Sequence, residues 1–566
     1  MLKYSQYNYE RIDVNTFKKN AKGIIQGLNS LESVDQQINH IKELEKIIAE
    51  WSTYASIASL EYSRDTFSKK NKDENEFYNN LEPEMQEISN LYADALLQSP
   101  FRNELIDEFG EHIFNLKEIE RKTFKPEIKN LLREESDLCN KYTELIASAK
   151  INFRGESYNL TGLGIFHTDA DRQVRKESYN ARFNFFENNS DELDDIYDSL
   201  VKIRTKIAHN LGYENYIQLG YNKLNRTDYN HEDVAKYRKQ IVDYVVPITT
   251  KLHEQRKKIL GLNELYFYDS INFKEGDPKP KGNLNHLISE AQKMYRELSN
   301  ETGVFFDMMV NEDLMDLENR NGKRGGGFCT AFPMYNRPYI FANFNGTDHD
   351  VTVLTHEAGH AFQCYSSRKQ PLQEYHWPTL EACEIHSMSM EFITWPWMDK
   401  FFKEETERFK YLHMSKSLSF LPYGACVDHF QHWVYENYNA SPKQRKEQWL
   451  KLEKIYLPNR DYEDLEYPKK GGIWQGQLHI YQMPFYYIDY TLAQTCAFQF
   501  WSKFKKDRNK AWKEYYDLCK AGGSMPFTKL LNVGNLRSPF DDGTLKEVVL
   551  EISEWLGGIN PESLKS

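Results

Sequence analysis

His356 and His360 enclose Glu357 in the pattern H-E-x-x-H, within the segment DHDVTVLTHEAGHAFQCY. Val351, Leu354, Ala358, Ala361, Phe362 and Tyr365 recur at helical spacing around it. Residues four apart share one face of a helix, so both imidazoles can aim at one point, as two ligands of a zinc ion must. Glu357 projects from the neighbouring position and can take a proton from water held there. That combination is the chemistry of a metal-dependent peptide hydrolase. The bland alternative is an ordinary helix that happens to carry two histidines, so the rest of the chain has to decide.

A catalytic zinc takes three protein ligands and keeps a fourth position open. A third histidine in the extended pattern H-E-x-x-H-x-x-G-x-x-H is absent: Gln363 stands at the glycine position and Ser366 at the histidine position. The other route is a carboxylate from a following helix. TLEACEIHSMSMEFITW carries Glu381, Glu384 and Glu391. Glu384 and Glu391 are two turns apart and share a face, and Glu381 lies one turn before Glu384. One of the three is expected to complete the site and another to orient a histidine. An acidic solvated helix face is the competing reading.

HEAGH, followed 24 residues after its second histidine by E-x-x-S-x-x-x-E (Glu384, Ser387, Glu391), resembles the M3 family of zinc oligopeptidases, in its oligoendopeptidase F and Pz-peptidase branch. The segment PYIFANFNGTDHDVTVLTHEAGHAFQ is similar to that family's strand-plus-metal-helix block. The resemblance covers residues 165–566 and, more faintly, the N-terminal part. It implies one Zn²⁺ held by His356, His360 and Glu384, with Glu357 as general base and Glu381 only a neighbour. It also implies a role for LHIYQMPFYYIDYTLAQ (478–494), where family members carry a histidine and tyrosines facing the metal. His479, Tyr486 and Tyr490 match best; Tyr481 and Tyr487 compete for the same roles. Attack on an amide creates an oxyanion, and hydroxyl or imidazole donors aimed at it lower the barrier. A core aromatic stripe is the alternative for this run.

The elements that must position these groups are mostly helices. Apolar residues three and four apart mark 33–63, 75–98, 117–150, 170–211 and 231–260. A turn-rich connection at 261–284 precedes a helix at 285–302. Residues 322–346 differ. Gly325-Gly326-Gly327 leads into FCTAF, a proline-containing turn and PYIFANFNG, which read as two short strands beside the metal helix. A peptide could dock there by adding a strand. Asn345-Gly346-Thr347-Asp348 is expected to supply the turn and the N-cap of that helix.

The expected fold is therefore mainly α, with a small sheet beside the H-E-x-x-H helix. The resemblance implies a zincin-like, two-lobed helical ellipsoid with a deep central channel. Its lobes would be an N-terminal helical lobe, 1–165, and a catalytic region, 166–566.

Composition limits the partners. The net charge of −12 and the absence of a dense basic run exclude nucleic acid. No stretch approaches the roughly 18 apolar residues of a membrane span. The first residues, MLKYSQYNYERIDV, hold no apolar signal core, and the odd count of 7 scattered cysteines reads as reduced thiols in a cytoplasmic protein. Asp428-His429-x-x-His432 lacks a base beside its first histidine and reads as packing. Cys364, one turn past His360, is a candidate for redox sensitivity, and Cys383 precedes Glu384. Lys323-Arg324 reads either as a contact for substrate carboxylates or as a solvated turn. The function expected is a zinc endopeptidase for short oligopeptides. The alternatives are an inactive peptide-binding protein on the same scaffold and a helical interaction protein without metal.

Overall fold

The computed structural model describes residues 2–560 and Leu564. Helices dominate it. The first three are α1 (Val14–Leu28), α2 (Val34–Arg64) and α3 (Lys69–Leu97). Each is started by a side chain that accepts a hydrogen bond from a free backbone N–H of the first turn: Asp13 from Thr16, Ser33 from Gln36 and Ser68 from Asn71. They bury Phe17, Ile41, Leu44, Trp51, Tyr78 and Tyr92 in a core of their own, completed by Leu105, Ile113 and Phe114 and by Leu372 and Tyr375 from far along the chain. A larger core runs from Ile57 and Phe124 to the C-terminal helices.

The single helix expected at 117–150 is two, His112–Thr123 and Lys129–Ala147. Pro126 is the reason: it offers no N–H and forces Lys125 into an extended backbone. A short hairpin follows, β1 (Ile151–Phe153) with β2 (Glu156–Tyr158), which the sequence reading missed. Its turn holds Arg154 and Gly155 at φ 51° and 91°, the mirror-image turn that matches strand twist. Among the described residues no helix is long and apolar enough to cross a membrane.

The sheet beside the metal helix has three strands, not two. β3 (Met315–Glu318) was not anticipated; β4 (Phe328–Phe332) and β5 (Arg337–Phe344) were. The order is β3-β5-β4, with β3 parallel and β4 antiparallel to β5. β5 is central, and its Pro338–Ala342 run is buried, which accounts for the unbroken apolar sequence. β4 is an edge.

Lys323 locks this sheet and is neither a substrate contact nor a solvated turn. Its side chain is 0% exposed. The ammonium donates to the Asp316 carboxylate at 2.8 Å and to the carbonyls of Asp316, Glu318 and Ala342 at 3.0, 2.9 and 2.6 Å. Asp316 also accepts from Arg320 and from Arg64 of α2. The end of α2 adds two backbone bonds to the same turn, Thr66 N–H to Gly322 and Arg324 N–H to Ser63. One carboxylate thus ties the N-terminal helices to the strands that flank the site. Burial works against its charge, but Arg320, Lys323 and Arg64 outweigh burial and hold it well below the usual carboxylate range.

Asp316→Asn leaves Lys323 buried without a counter-charge and is expected to cost about 3 kcal/mol at pH 7. Because the folded carboxyl is depressed, its contribution is complete above its unfolded pKa of about 4 and fades as pH falls below that. Thermal unfolding midpoints of the two proteins should differ at pH 7 and converge towards pH 3. Equal midpoints at pH 7 would remove Asp316 from this role.

Candidate metal centre

Helix α4 (Asp348–Ser367) carries H-E-x-x-H, and α5 (Leu380–Ile393) carries the three glutamates. The start of α4 differs from expectation. Thr347 occupies the N-cap but makes no side-chain cap bond. Asp350, inside the first turn, accepts from the N–H groups of Asn345 and Gly346 at 2.9 and 2.7 Å. Gly346 takes the left-handed φ of 84° that this turn requires. Asp348 and Asp350 also suit the positive end of the helix.

α4 and α5 touch backbone to backbone at Gly359. A Cβ there would lie 2.6 Å from the His386 carbonyl oxygen and 2.7 Å from the Ser387 Cα. Only glycine permits that approach, and it brings Glu384 under both rings. Glu384 Oε2 lies 3.3 Å from His356 Nε2 and 3.5 Å from His360 Nε2. The two rings stand 5.0 Å apart at 82°. Ligand atoms of a tetrahedral zinc with bonds of about 2.1 Å sit about 3.4 Å apart. The spacing and the donor set, two imidazole nitrogens and a carboxylate oxygen within 4.8 Å of one another, therefore fit a divalent zinc-type ion.

Glu391 stands on the other side of His356. Its Oε1 is 2.7 Å from His356 Nδ1, and its Oε2 is 2.6 Å from Nε2 of His413, on α6 (Thr406–Glu436). Trp395 Nε1 lies 3.0 Å from His413 Nδ1. An indole N–H only donates, so His413 Nδ1 accepts and its Nε2 carries the proton. A carboxylate only accepts, so His356 Nδ1 is protonated as well and Nε2 keeps its lone pair for a metal. Burial opposes the charge on Glu391, yet the two histidines bring its carboxyl down to about 2. Glu381 points elsewhere. Both its oxygens are buried without a hydrogen-bond partner, and its principal charge neighbour is Arg226.

Glu357 lies against the sheet. A Cβ on Gly327 would stand 3.3 Å from Glu357 Oε1, so the glycine run keeps the strand entry clear of this carboxylate. Glu357 Oε2 is buried and has no partner. Burial pushes its carboxyl up, with the two histidines pulling it back.

The C-terminal block closes over the same point. Helix α7 (Tyr487–Lys506) packs along α5. Tyr486 donates its hydroxyl to Glu384 Oε1 at 3.0 Å. Tyr490 lies 4.9 Å from Tyr486 ring to ring, and His479 lies 5.5 and 5.8 Å from these two tyrosines. Gln477 Oε1 accepts from Tyr423 at 2.9 Å, and its Nε2 donates to His479 Nδ1 at 2.9 Å. His479 therefore carries its proton on Nε2, as a donor needs. The two competing tyrosines differ in their surroundings. Tyr481 donates to the Leu193 carbonyl and stacks on Tyr142. Tyr487 packs on Phe420 and Tyr423, and its ring also lies 5.1 Å from His479.

The peptidase family M3 profile matches residues 165–550, and the M3 N-terminal domain profile matches residues 4–124. The chain belongs to peptidase family M3. A Borreliella burgdorferi oligoendopeptidase F homolog is 26% identical over 388 residues, 65% of this chain. The match spans only 62% of that relative's length. Group B oligopeptidase PepB of Streptococcus agalactiae is 23% identical over 70% of this chain and 67% of its own. Among solved structures, a Pz peptidase A with an inhibitor superposes with TM-score 0.96 and 47% identity, covering 99% of this chain and 100% of its own. A Bacillus anthracis protein named an oligoendopeptidase F gives 0.91 and 43%, over 100% and 99%.

Several residues of this M3 peptidase fall outside the centre. His432 and Asp428 are bound to Arg238 and Tyr221 in a buried packing network. Cys364 lines a separate cavity of about 280 Å³ with Cys329 and His376, and burial pushes its thiol up to about 12, which leaves it unreactive. His413 and Trp395 were missed. His413 lies on another helix with no spacing that ties it to the motif, while Trp395 stands four residues after Glu391, at the end of the segment that carries the glutamates. Gly359 was readable in principle, since a glycine inside a metal helix signals a close neighbour.

Gly359→Ala must push α5 away and is expected to weaken metal binding by about 10- to 100-fold, alongside a loss of stability of about 1–3 kcal/mol. Metal content after dialysis against a graded chelator series reads the first effect. Metal retention equal to the parent would show that the crossing does not set the ligand geometry.

Proposed function

We propose that this chain is a zinc metallo-endopeptidase that hydrolyses internal bonds of short oligopeptides, with the ion held by His356, His360 and Glu384. The observation that carries it is the placement of Glu384 Oε2 at 3.3 and 3.5 Å from the two Nε2 atoms of H-E-x-x-H, with an unpartnered Glu357 oxygen beside them. Zinc bound there supplies Lewis acidity, which polarises a carbonyl and makes water acidic enough to attack near neutral pH.

The remaining steps fall to side chains. Glu357 takes the proton of the attacking water and passes it to the leaving amine. His479 presents Nε2–H to the oxyanion, and Tyr490 adds a hydroxyl. Tyr486 is the third donor in this reading. Its hydroxyl rests on Glu384, so it orients that carboxylate until a substrate oxygen competes for the proton. Among the described residues β4 is laddered only to β5, and its other edge, beside α2, is where an extended peptide would add a strand. Gly327 leaves room for that peptide above Glu357.

The two-lobe division at residue 165, supported by family segments that end at 124 and resume at 165, would place this centre deep in a channel that admits oligopeptides and excludes folded proteins. The net charge of −12 and the free thiols support a cytoplasmic protein that does not bind nucleic acid. An inactive peptide binder on this scaffold would have no use for an unpartnered carboxylate beside the two histidines.

Glu357→Gln should keep one zinc per chain and an unchanged melting temperature while turnover of a quenched fluorescent peptide falls by at least about 100-fold. Chelation should abolish activity in the parent and zinc should restore it. Undiminished activity in a metal-loaded Glu357→Gln protein would defeat the base assignment, and a metal-free, active parent would defeat the whole reading.

A further inference from the structure

The helix Arg172–Asn188, which packs against Glu466–Lys469, carries three arginines. Two are paired: Arg172 and Arg175 both bond Asp269. Other arginines of this region follow suit, Arg204 with Glu135, Arg226 with Asp489 and Arg460 with Glu453. Arg182, half-buried, does not. Among the described residues it has no ion pair and no hydrogen bond, and its charge neighbours are the phenols of Tyr179, Tyr142 and Tyr423 with no carboxylate. Its guanidinium lies over the Phe186 ring at 5.5 Å. Partial burial among these phenols pulls its pKa down.

Its place in the fold says where that anion comes from. Arg182 Nη2 is 3.9 Å from where a Cβ on Gly476 would stand. Gly476 precedes Gln477, which holds His479, and Tyr423 beside Arg182 holds Gln477. The bare cation thus borders the segment that carries the oxyanion donor, and the absent side chain of Gly476 leaves room next to it. A guanidinium recognises a carboxylate with two parallel donors.

We propose that Arg182 is a specificity-determining residue that binds a carboxylate of the peptide substrate, at its C-terminus or on an acidic side chain. The assignment rests on the peptidase reading above. It gives a chain of net charge −12 a reason to leave this cation unpaired, because the partner arrives with the substrate.

The test compares one fluorescent peptide as free acid and as C-terminal amide, and a third amidated form ending in glutamate. The parent should prefer the acid by at least about tenfold in kcat/KM, through KM. Arg182→Gln should lose that preference by weakening on the acid alone, with amide turnover unchanged as proof of folding, and Arg182→Lys should retain part of it. Arg154→Gln, which removes an exposed pair with Glu177, controls for net charge. Recovery with the glutamate form assigns the contact to a side-chain carboxylate, and no recovery assigns it to the terminus. An acid-to-amide ratio equal in the parent and Arg182→Gln overturns the proposal. Calorimetric titration of the same peptides into Glu357→Gln, with and without Arg182→Gln, reads binding without turnover. A preference for the acid lost in the double variant upholds Arg182 even if the parent cleaves neither peptide, and equal affinities overturn it.

Discussion

The contact on which the site depends is backbone against backbone. At Gly359 the two helices meet without a side chain between them. The consequence is a particular placement of His356. Glu384 and Glu391 are seven residues apart on α5, about 10.5 Å along its axis. One addresses Nε2 of the ring and the other Nδ1. A single imidazole is therefore gripped at both nitrogens by one helix, and its orientation follows that helix as a rigid body. Moving α5 outward by the width of a methyl group would spoil the ligand distance and the supporting hydrogen bond together.

Charge explains why a cation belongs there. Glu357, Glu384 and Glu391 are three carboxylates brought close to two imidazoles that a metal requires neutral. Burial lowers the His356 pKa, and the Glu384 and Glu391 carboxylates override it and raise it well above the ordinary imidazole value. A divalent ion would offset the repulsion between the carboxylates. His413 settles the rest, because its proton on Nε2 is fixed by Trp395 and given to Glu391. The candidate ligands are few, but the residues that bond to them and to Glu391 reach four elements.

Legibility in the sequence tracked the range of the interaction. Helical periodicity exposed most helices, and a four-residue spacing exposed the metal pair, because both are local. The helix expected at 117–150 broke at Pro126, a local signal given too little weight against a long apolar pattern. β3 is four residues long and pairs across some 20 residues of chain, so periodicity had nothing to act on. Glu381, Glu384 and Glu391 could not be told apart by spacing, since residues one and two turns apart share a face. The rotation of α5 about its axis decides between them, and Gly359 sets that rotation. Lys323 looked exposed because a lysine beside glycines usually is. Its burial depends on carbonyls of β3 and β5 that only the folded sheet gathers.

The tyrosine block shows the same dependence at longer range. Phe485 holds a left-handed backbone at φ 69°, a conformation that costs a bulky residue about 1–3 kcal/mol. Gln431 of α6 bonds its N–H, and Arg226 bonds its carbonyl together with Asp489. Arg226 is also the charge neighbour of Glu381, one turn before Glu384 on α5. The next residue after the strained one, Tyr486, donates to Glu384 itself. Two consecutive turns of α5 thus hold the block, one through a buried arginine and one through the metal-site carboxylate. Tyr486 and the Glu384 carboxylate are registered to a single helix. Spacing within 478–494 could not rank the tyrosines, because their order of approach is set by a strained residue and by partners 54 to 259 positions away.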